Sequence, residues 1–510
     1  MPDKSLGTWG NIVTSASETL SGAAETPTTR RGIAVLQVAV AYFVILRIVY
    51  GVFVPPNGDE AYYWLWGGHL QLSYYDHAPM VGWTSAIARQ LLGWSPAALH
   101  LPAFVTFLVL AWALRRASRW LAPADPDGFF WLGLALFCAS PLLNALTSLN
   151  YPDHLLICFA ALALLGLGHF LNGVFEGTER PADLYLGALF LGLAGLSKYS
   201  AVFIPAGLVV VMIAAPKLRR LFRSPHLYAA GALTFLITLP VYIWNAANRF
   251  ATVELHAVER LEQAAAFTPL LLVRVIVLSM LMLSPFIIWA FARFLFTRPA
   301  EPRQTGLILL GRGTALISTL LLLPLAAWGA LADQVSPHWL VLSFLPFLLV
   351  APFYLRSRWL IGLHIGWGVL INTAAVLYYV LAPLPTEMLG INDYEAARTF
   401  GYEQLAPAID ALAAEHDVVA VYAHGYPLLA RLAFGRGSDA GLTDFGGRID
   451  RLTGQAPGPE AAGKDVLLVG NPARLAGRFD NVEELPPVVV QRFGRPIASY
   501  EIAIGHGFKP

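Results

Sequence analysis

Eleven apolar segments occupy most of the first 381 residues, and most approach the roughly 20 residues that an α-helix needs to cross a bilayer. The composition agrees, because 56% of the 510 residues are hydrophobic and 13% are charged, whereas about a quarter of the residues of a soluble domain are charged. The sequence therefore predicts a polytopic α-helical membrane protein with about 11–13 transmembrane helices. The apolar segments span residues 32–54, 97–114, 129–147, 153–171, 184–197, 200–215, 226–245, 269–296, 307–331, 339–355 and 359–381.

The distribution of lysine and arginine predicts a topology. Basic residues cluster after the second, sixth, eighth and tenth apolar segments, whereas the gaps between these clusters hold few of them. Because basic residues favour the cytoplasmic side of a membrane, we expect residues 1–31 in the cytoplasm and the loop of residues 55–96 outside it. Eleven spans then place the C-terminus outside as well. The net charge of +1 gives no reason to expect a nucleic-acid partner.

The composition changes after residue 384, where the chain becomes polar enough to form a soluble domain. Residues 402–416 are amphipathic and predict a helix, and residues 418–422 predict a buried strand. A second helix and strand, at residues 426–434 and 465–469, precede strand-like runs near the end of the chain. The sequence thus predicts three parts, listed by residue range as a cytoplasmic segment 1–31, a transmembrane catalytic domain 32–384 and a small extracytoplasmic α/β domain 385–510.

Two adjacent carboxylates, Asp59 and Glu60, follow the first apolar segment, and one residue later come the aromatic residues Tyr62, Tyr63 and Trp64. A carboxylate at a membrane surface can act as a general base. The same pair could instead cap a surface helix, because acidic side chains stabilise helix N-termini. The aromatic residues could form an interfacial belt. The residues by themselves leave both interpretations open.

Further ionisable groups lie in the other gaps that are predicted to be external. Asp153 and Lys198 stand at the ends of apolar segments, where ionisable residues are costly and tend to be functional. The remaining candidates for contacts with substrate or phosphate are Tyr62, Asp76, His77, Arg249, His256, Arg260 and His338. Several of these are metal-ligand types, so a divalent metal is an alternative. No HExxH or CxxC spacing supports it, however, and we assign no metal ligands.

The order of the polar motifs resembles that of the bacterial glycosyltransferases of family 39, in the GT-C superfamily. That family includes lipid A aminoarabinose transferases and relatives of protein O-mannosyltransferases. The resemblance covers most of the membrane region. It rests on the stretches 58–64 (GDEAYYW), 74–83 (YYDHAPMVGW), 150–153 (NYPD), 195–199 (GLSKY), 244–245 (WN) and 336–339 (SPHW).

The resemblance implies transfer of a monosaccharide from a polyprenyl-phosphate donor at the outer face of the bacterial cytoplasmic membrane. The acceptor would be a lipid, a glycan or a protein of the cell envelope. The family's catalytic acid maps onto Asp59, and the acid of the second external loop maps onto Asp153. The predicted catalytic residues are therefore Asp59, Glu60 and Asp153, with Asp59 as the base and Glu60 as the neighbour that positions it. His77 stands where the aminoarabinose transferases have a lysine that helps to hold the lipid phosphate, which departs from the family pattern.

The residue types fit that chemistry independently of the family resemblance. A hydroxyl acceptor is a poor nucleophile, so a carboxylate such as Asp59 can take its proton in the transition state. Cationic side chains can stabilise the charge that develops on a departing lipid phosphate. Direct displacement predicts inversion at the anomeric carbon. Two alternatives stay open: a protein O-mannosyltransferase, and a transporter or flippase of lipid-linked saccharide whose polar residues line a path across the membrane.

Overall fold

A computed structural model describes residues 29–254, 269–297, 299, 302–327, 337–388 and 393–510. Each of the eleven predicted apolar segments coincides with a helix or a bent pair of helices. Six helices in the described part of the chain are long and apolar enough to cross a membrane, and two bent pairs could each add one span. Three shorter apolar helices account for the other predicted segments.

Prolines explain why some segments are short or bent. Pro141 begins a new helix directly after the helix that ends at Ala139. The bent pairs change direction by 116° before Pro216 and by 87° before Pro285. A proline lacks the N–H that would continue a helix, and its ring clashes with the preceding turn. Many of the described helices also start with proline at their first position, where the missing donor costs nothing, among them those that begin at Pro96, Pro126, Pro152, Pro181 and Pro225.

The helices of the membrane region enclose one continuous apolar core. The helix Pro152–Glu176 is central, because 83% of its most apolar window is buried by the rest of the chain. The helices up to residue 254 are α1 Arg30–Phe53, α2 Gly58–Trp66, α3 Met80–Leu92, α4 Pro96–Leu121, α5 Pro126–Ala139, α6 Pro141–Leu146, α7 Pro152–Glu176, α8 Pro181–Ser197, α9 Phe203–Ala214, α10 Pro225–Ala247 and α11 Ala251–Val253. Those from residue 269 to residue 388 are α12 Pro269–Leu283, α13 Ile288–Phe296, α14 Pro302–Ala327, α15 Val341–Leu348, α16 Ala351–Tyr354, α17 Arg358–Leu381 and α18 Leu384–Met388.

Short 3-10 helices interrupt or extend several of these elements. They span Tyr199–Val202, Pro216–Arg223, Pro285–Ile287, Pro337–Leu340, Pro459–Ala461 and Pro472–Arg478.

The C-terminal domain contains a five-stranded mixed sheet. Its helices are α19 Tyr394–Thr399, α20 Tyr402–Glu415, α21 Tyr426–Arg436 and α22 Arg448–Thr453, and its strands are β1 Ala420–Ala423, β2 Leu442–Thr443, β3 Val466–Gly470, β4 Asn481–Arg492 and β5 Arg495–His506. The strands lie in the order β2-β1-β3-β5-β4. The pairs β1–β2 and β1–β3 are parallel, whereas β5 runs antiparallel to both β3 and β4. The predicted helices and strands of this domain are all present, within a few residues of their expected ends.

The C-terminal domain packs directly on the loop that follows α1. One apolar cluster joins Ala61 and Leu65 of α2 to Leu429 and Leu432 of α21. The approach is close, since a Cβ atom added to Gly58 would lie 2.6 Å from the Cβ of Pro427. A second contact joins the C-terminal domain to the membrane helices. The guanidinium of Arg492 donates to three carbonyls at the end of α17, those of Tyr379, Val380 and Ala382.

Candidate active site

The chain turns sharply after α1, and Asn57 caps the helix that follows. The Oδ1 atom of Asn57 accepts hydrogen bonds from the backbone N–H groups of Asp59 and Glu60, at 3.0 and 3.1 Å. The Oε2 atom of Glu60 accepts in return from the backbone N–H of Asn57 at 3.4 Å. This reciprocal pair is a capping box, which satisfies two backbone donors at the start of α2. The helix-cap interpretation therefore applies to Asn57 and Glu60.

Glu60 is fully buried and binds three parts of the chain together. Besides closing the capping box, it accepts from the backbone N–H of Asn150 at 2.9 Å, through Oε1. The Nε2 atom of His100, on α4, lies 3.2 Å from the same oxygen. Glu60 thus fixes the start of α2 against the segment that precedes α7, and its carboxylate has no path to bulk solvent.

Asp59 has the opposite environment although it is the next residue in the chain. Its side chain is partly exposed, and it lines a cavity of about 400 Å³. The cavity walls include Tyr50 of α1, Tyr151 and Tyr379, together with Glu395 and Arg398 of the C-terminal domain. The hydroxyl of Tyr426 donates to Asp59 Oδ1 at 2.8 Å. Asp59 is therefore the carboxylate of the pair that a substrate can reach.

Two contacts from the C-terminal domain complete what we call the Asp59 cluster, consisting of Asp59, Tyr426, Asp76 and Arg448. The Nη1 atom of Arg448 lies 3.0 Å from Oδ1 of the buried Asp76, and its guanidinium carbon lies 4.7 Å from the centre of the Tyr426 ring. Burial alone opposes the charge of Arg448, but Asp76 and the neighbouring tyrosines hold its pKa above the ordinary value. Burial and the carboxylate of Asp76, which accepts a hydrogen bond from Tyr62, raise the pKa of that tyrosine well above its usual range.

A second cluster lies where α7 begins and α8 ends. The ammonium of Lys198 donates to both oxygens of Asp153, at 2.7 and 2.9 Å. The Lys198 and Asp153 side chains are only 12% and 4% exposed, so the ion pair is largely withdrawn from water. His338 lies close enough to interact electrostatically with both. These three residues form the Asp153 cluster.

Tyrosines connect the two clusters. The hydroxyl of Tyr151 donates to Asn57 Oδ1 at 3.1 Å, and Tyr151 stands two residues before Asp153. Tyr199, next to Lys198, lies 3.4 Å from the hydroxyl of Ser73 in the loop that carries Asp76. Among the described residues, however, the cavity that Asp59 lines does not include the side chains of the Asp153 cluster. Tyr151, which does line it, directly precedes α7 and connects the cavity to the helix that carries Asp153.

The other predicted site residues fall into three groups. His77 is half-buried, and its ring centre lies 6.0 Å from that of Tyr63, which interacts with both Asp59 and Asp76. Arg249 is exposed just after α10, and no described contact brings it to either cluster. His256 and Arg260 lie outside the described residues. Within the described part of the chain, no three His, Cys, Asp or Glu side chains are grouped as metal ligands.

Comparisons with known proteins agree on one enzyme class. The family model of dolichyl-phosphate-mannose-protein mannosyltransferases matches residues 76–244. The lipid A galacturonosyltransferase RgtD of Rhizobium johnstonii is 27% identical over 372 residues, which cover 70% of this chain and 72% of the relative. Two crystal structures of ArnT from Cupriavidus metallidurans, in the apo state and bound to undecaprenyl phosphate, share the fold with TM-scores of 0.62 and 0.61 at 13% identity, covering 92% of this chain and 98% of each ArnT chain.

These likenesses support a glycosyltransferase that is similar to the bacterial GT-C enzymes. Its membrane helices and small C-terminal sheet domain follow the architecture of ArnT. The fold class and the enzyme class predicted from the sequence are both confirmed.

Sequence reasoning missed the residues of the glycosyltransferase that surround Asp59 from a distance in the chain. Tyr426 and Arg448 come from a domain whose sequence carries no recognisable site motif. His100 was not among the predicted site residues, yet it faces the buried Glu60 carboxylate. A signal for the capping box was present, since Asn57 stands three residues before Glu60 as the capping-box spacing requires. No comparable local signal marks Tyr426, Arg448 or His100.

Proposed function

We propose that this enzyme transfers a monosaccharide from a polyprenyl-phosphate-linked donor to a lipid acceptor of the cell envelope, at the outer face of the bacterial cytoplasmic membrane. The observation that carries the proposal is the position of Asp59: a partly exposed carboxylate in the wall of a cavity that combines apolar and polar surfaces. The apolar part includes Leu46 of α1 and Val376 of α17, both on helices long enough to span a membrane. Such a cavity suits a substrate with a lipid tail and a polar head.

The proposed reaction is a single displacement. The acceptor hydroxyl oxygen attacks the anomeric carbon of the donor sugar, and the Asp59 carboxylate takes the hydroxyl proton. The bond between the anomeric carbon and the phosphate oxygen breaks, and its electron pair leaves with the polyprenyl monophosphate. A base of this kind typically contributes a rate factor of about 10² to 10⁴. Attack opposite the leaving group inverts the anomeric configuration.

We assign the leaving phosphate to the Asp153 cluster. An ammonium has three N–H donors, and Asp153 accepts from that of Lys198 with both of its oxygens. Asp153 thereby orients the ammonium, which can direct its remaining donor capacity at a phosphate. Glu60 has a positioning role in this scheme, since it is buried and fixes the helix that carries Asp59.

Two observations favour the choice of donor and acceptor. RgtD, the relative that is 27% identical, is named for transfer to lipid A. An ArnT structure with the same fold holds undecaprenyl phosphate. A protein acceptor is the second candidate, because the matching family model is named for transfer of mannose to protein. The sugar itself has no recognisable determinant in the sequence.

The test is a transfer assay with the purified enzyme in lipid nanodiscs. A polyprenyl-phosphate-linked sugar is supplied with lipid A or with an unfolded Ser/Thr-rich polypeptide, and the products are identified by mass spectrometry. We expect a single sugar residue on the lipid and inverted configuration by NMR. Sugar on the polypeptide alone would overturn the lipid assignment, and passage of intact donor across the bilayer without transfer would overturn the enzymatic one. Repeating the assay after extensive EDTA treatment tests the metal alternative directly.

A further inference from the structure

The hydroxyl of Tyr426 is the only described side chain that donates a hydrogen bond to Asp59. The bond is 2.8 Å long and goes to Oδ1, so one carboxylate oxygen is held by the C-terminal domain. The Asp59 side chain lines the cavity, and its other oxygen, Oδ2, is not engaged by this hydrogen bond. We propose that Tyr426 is a positioning residue, which holds Asp59 so that Oδ2 faces the acceptor hydroxyl. This inference rests on the proposed role of Asp59 as base.

Several contacts fix Tyr426 where this role requires it. Its ring packs against that of Tyr62 with centres 5.0 Å apart. The Arg448 guanidinium, held by Asp76, covers the ring at 4.7 Å. The ring is thus restrained directly by α2 and α22, and the loop after α2 holds Arg448 in place through Asp76.

Gly58, the residue before Asp59, allows α21 to approach the start of α2 closely. At Gly58 a side chain would collide with Pro427, the residue after Tyr426, because the added Cβ would lie 2.6 Å from the proline Cβ. Only a residue without a side chain lets α21 come this close to the start of α2. The motif residue next to the base therefore permits the C-terminal domain to reach the base.

Tyr426 is a constant donor under assay conditions. Burial and the adjacent Asp59 carboxylate raise the pKa of its hydroxyl well above the usual range, so the hydroxyl stays protonated at acidic and neutral pH. A hydrogen bond from a neutral donor stabilises the charged form of a carboxylate. Removing it makes the carboxylate bind its proton more readily, which alters the pH dependence of a reaction that needs the ionised base.

The other groups near Asp59 are accounted for. The hydroxyls of Tyr63 and Tyr151 interact with Asp59, and burial raises the pKa of both well above the ordinary value, so neither titrates in the working range. The charged groups that remain nearby are Glu60, the cavity-lining Glu395 and Arg398, and the paired Asp76 and Arg448. A change in pH profile that follows loss of the Tyr426 hydroxyl, with all of these retained, is specific to that bond.

The experiment compares the wild-type enzyme with Tyr426→Phe and with the matched control Tyr500→Phe. Tyr500 lies in the same domain, and its hydroxyl contacts Tyr402 and the Ala397 carbonyl, remote from Asp59. We expect Tyr426→Phe to lower kcat about tenfold and to move the acidic limb of the kcat profile about one pH unit upward, as loss of one hydrogen bond to a charged group allows. Tyr500→Phe should leave both unchanged.

A second measurement does not depend on activity. Labelling of Asp59 by a water-soluble carbodiimide requires the protonated acid, and peptide mass spectrometry can follow it across pH in each variant. If the wild-type protein transfers no sugar but the Asp59 labelling curve still moves in Tyr426→Phe, the proposed function fails and the coupling stands. If the enzyme is active and neither the kcat profile nor the labelling curve moves, the inference is overturned.

Discussion

The Asp59 cluster and the Asp153 cluster each hold a carboxylate near the membrane, but the two carboxylates differ in burial and in hydrogen-bond partners. Asp153 is nine-tenths buried and has a cationic partner that meets both of its oxygens. Asp59 is partly exposed and has only a tyrosine hydroxyl as a hydrogen-bond donor among the described side chains. The first arrangement fixes a charged pair away from water, whereas the second leaves a carboxylate in a cavity wall where a substrate can reach it.

That difference separates the two carboxylates by role. A buried charge stays because its partner compensates for the loss of water, so removing either partner harms folding. A partly exposed carboxylate costs little to keep or to neutralise, so its loss should affect chemistry more than stability. The contrast can be tested by measuring activity and stability together in each cluster.

The largest expected effect is on catalysis at Asp59. Asp59→Asn removes the proton acceptor and should lower kcat by a factor of about 10² to 10⁴, the usual contribution of a general base. The amide can still accept from the Tyr426 hydroxyl, so the thermal midpoint should change little. Turnover is measured by mass spectrometry of the product and stability by a thermal unfolding assay in detergent.

A matched control is Asp127→Asn, at an exposed acid in α5 that pairs with Arg115. This variant should keep both activity and stability. If Asp59→Asn kept near-normal turnover, Asp59 would not be the base, and the two clusters would not differ in the catalytic role proposed for them.

The next effect is on stability in the Asp153 cluster. Lys198→Met leaves the Asp153 carboxylate buried without its partner and should cost about 3–5 kcal/mol of unfolding free energy. The double variant Asp153→Asn with Lys198→Met removes both charges and should recover most of that loss. Equilibrium unfolding in detergent, monitored by tryptophan fluorescence, gives the four free energies of the cycle.

Transfer should stay impaired in the double variant, because the proposed phosphate ligand is gone while the fold is restored. If the double variant were as unstable as Lys198→Met, the unpaired charge of Asp153 would not be the cause of the instability. Full activity in the double variant would remove Lys198 from the phosphate site.

The Asp153 cluster was also the easier of the two to predict. Asp153 and Lys198 each stand at the end of an apolar segment, so hydropathy alone marks them as ionisable groups near a membrane. The eleven segments themselves were recognisable because apolar length is a local property of the sequence. The same applies to the strands and helices of the C-terminal domain, whose periodicity is local.

The surroundings of Asp59 could not be predicted in this way. Tyr426 reaches Asp59 across 367 positions of sequence, and the contact depends on how two domains pack. Neither hydrophobic periodicity nor the spacing of a short motif predicts a contact between residues so far apart in the sequence. The family resemblance separated Asp59 from Glu60 by role, but the residues alone did not show which of the two is buried, since adjacent residues at a helix start point in different directions and packing decides their burial.

A smaller effect is expected at Glu60. Both of its oxygens accept hydrogen bonds, and His100 faces one of them, so Glu60→Gln replaces an acceptor with a donor inside a full set of donors. We expect a cost of about 1–3 kcal/mol, as for other unsatisfied buried groups. Thermal and chemical unfolding should both detect it.

Activity per folded molecule should fall much less in Glu60→Gln than in Asp59→Asn, because Glu60 only positions the helix. An enzyme that kept wild-type stability but lost turnover would assign catalysis to Glu60 and reverse the proposed roles of the pair.

The smallest expected effect concerns the contact that holds the C-terminal domain to the loop below it. His69 Nε2 lies 2.5 Å from Asp439 Oδ2, and this hydrogen bond, helped by the nearby charges, lowers the pKa of Asp439 below its ordinary value of 3.8. A carboxyl whose pKa is lower in the folded state stabilises the protein above its unfolded-state pKa and loses that contribution as pH falls through the folded-state value. The thermal midpoint should therefore fall with an extra component below about pH 4. Asp439→Asn should remove that component, and Glu484→Gln, at an exposed acid on β4, should leave it in place. An identical acid limb in wild type and Asp439→Asn would mean that the contact does not hold the domain over the Asp59 cluster.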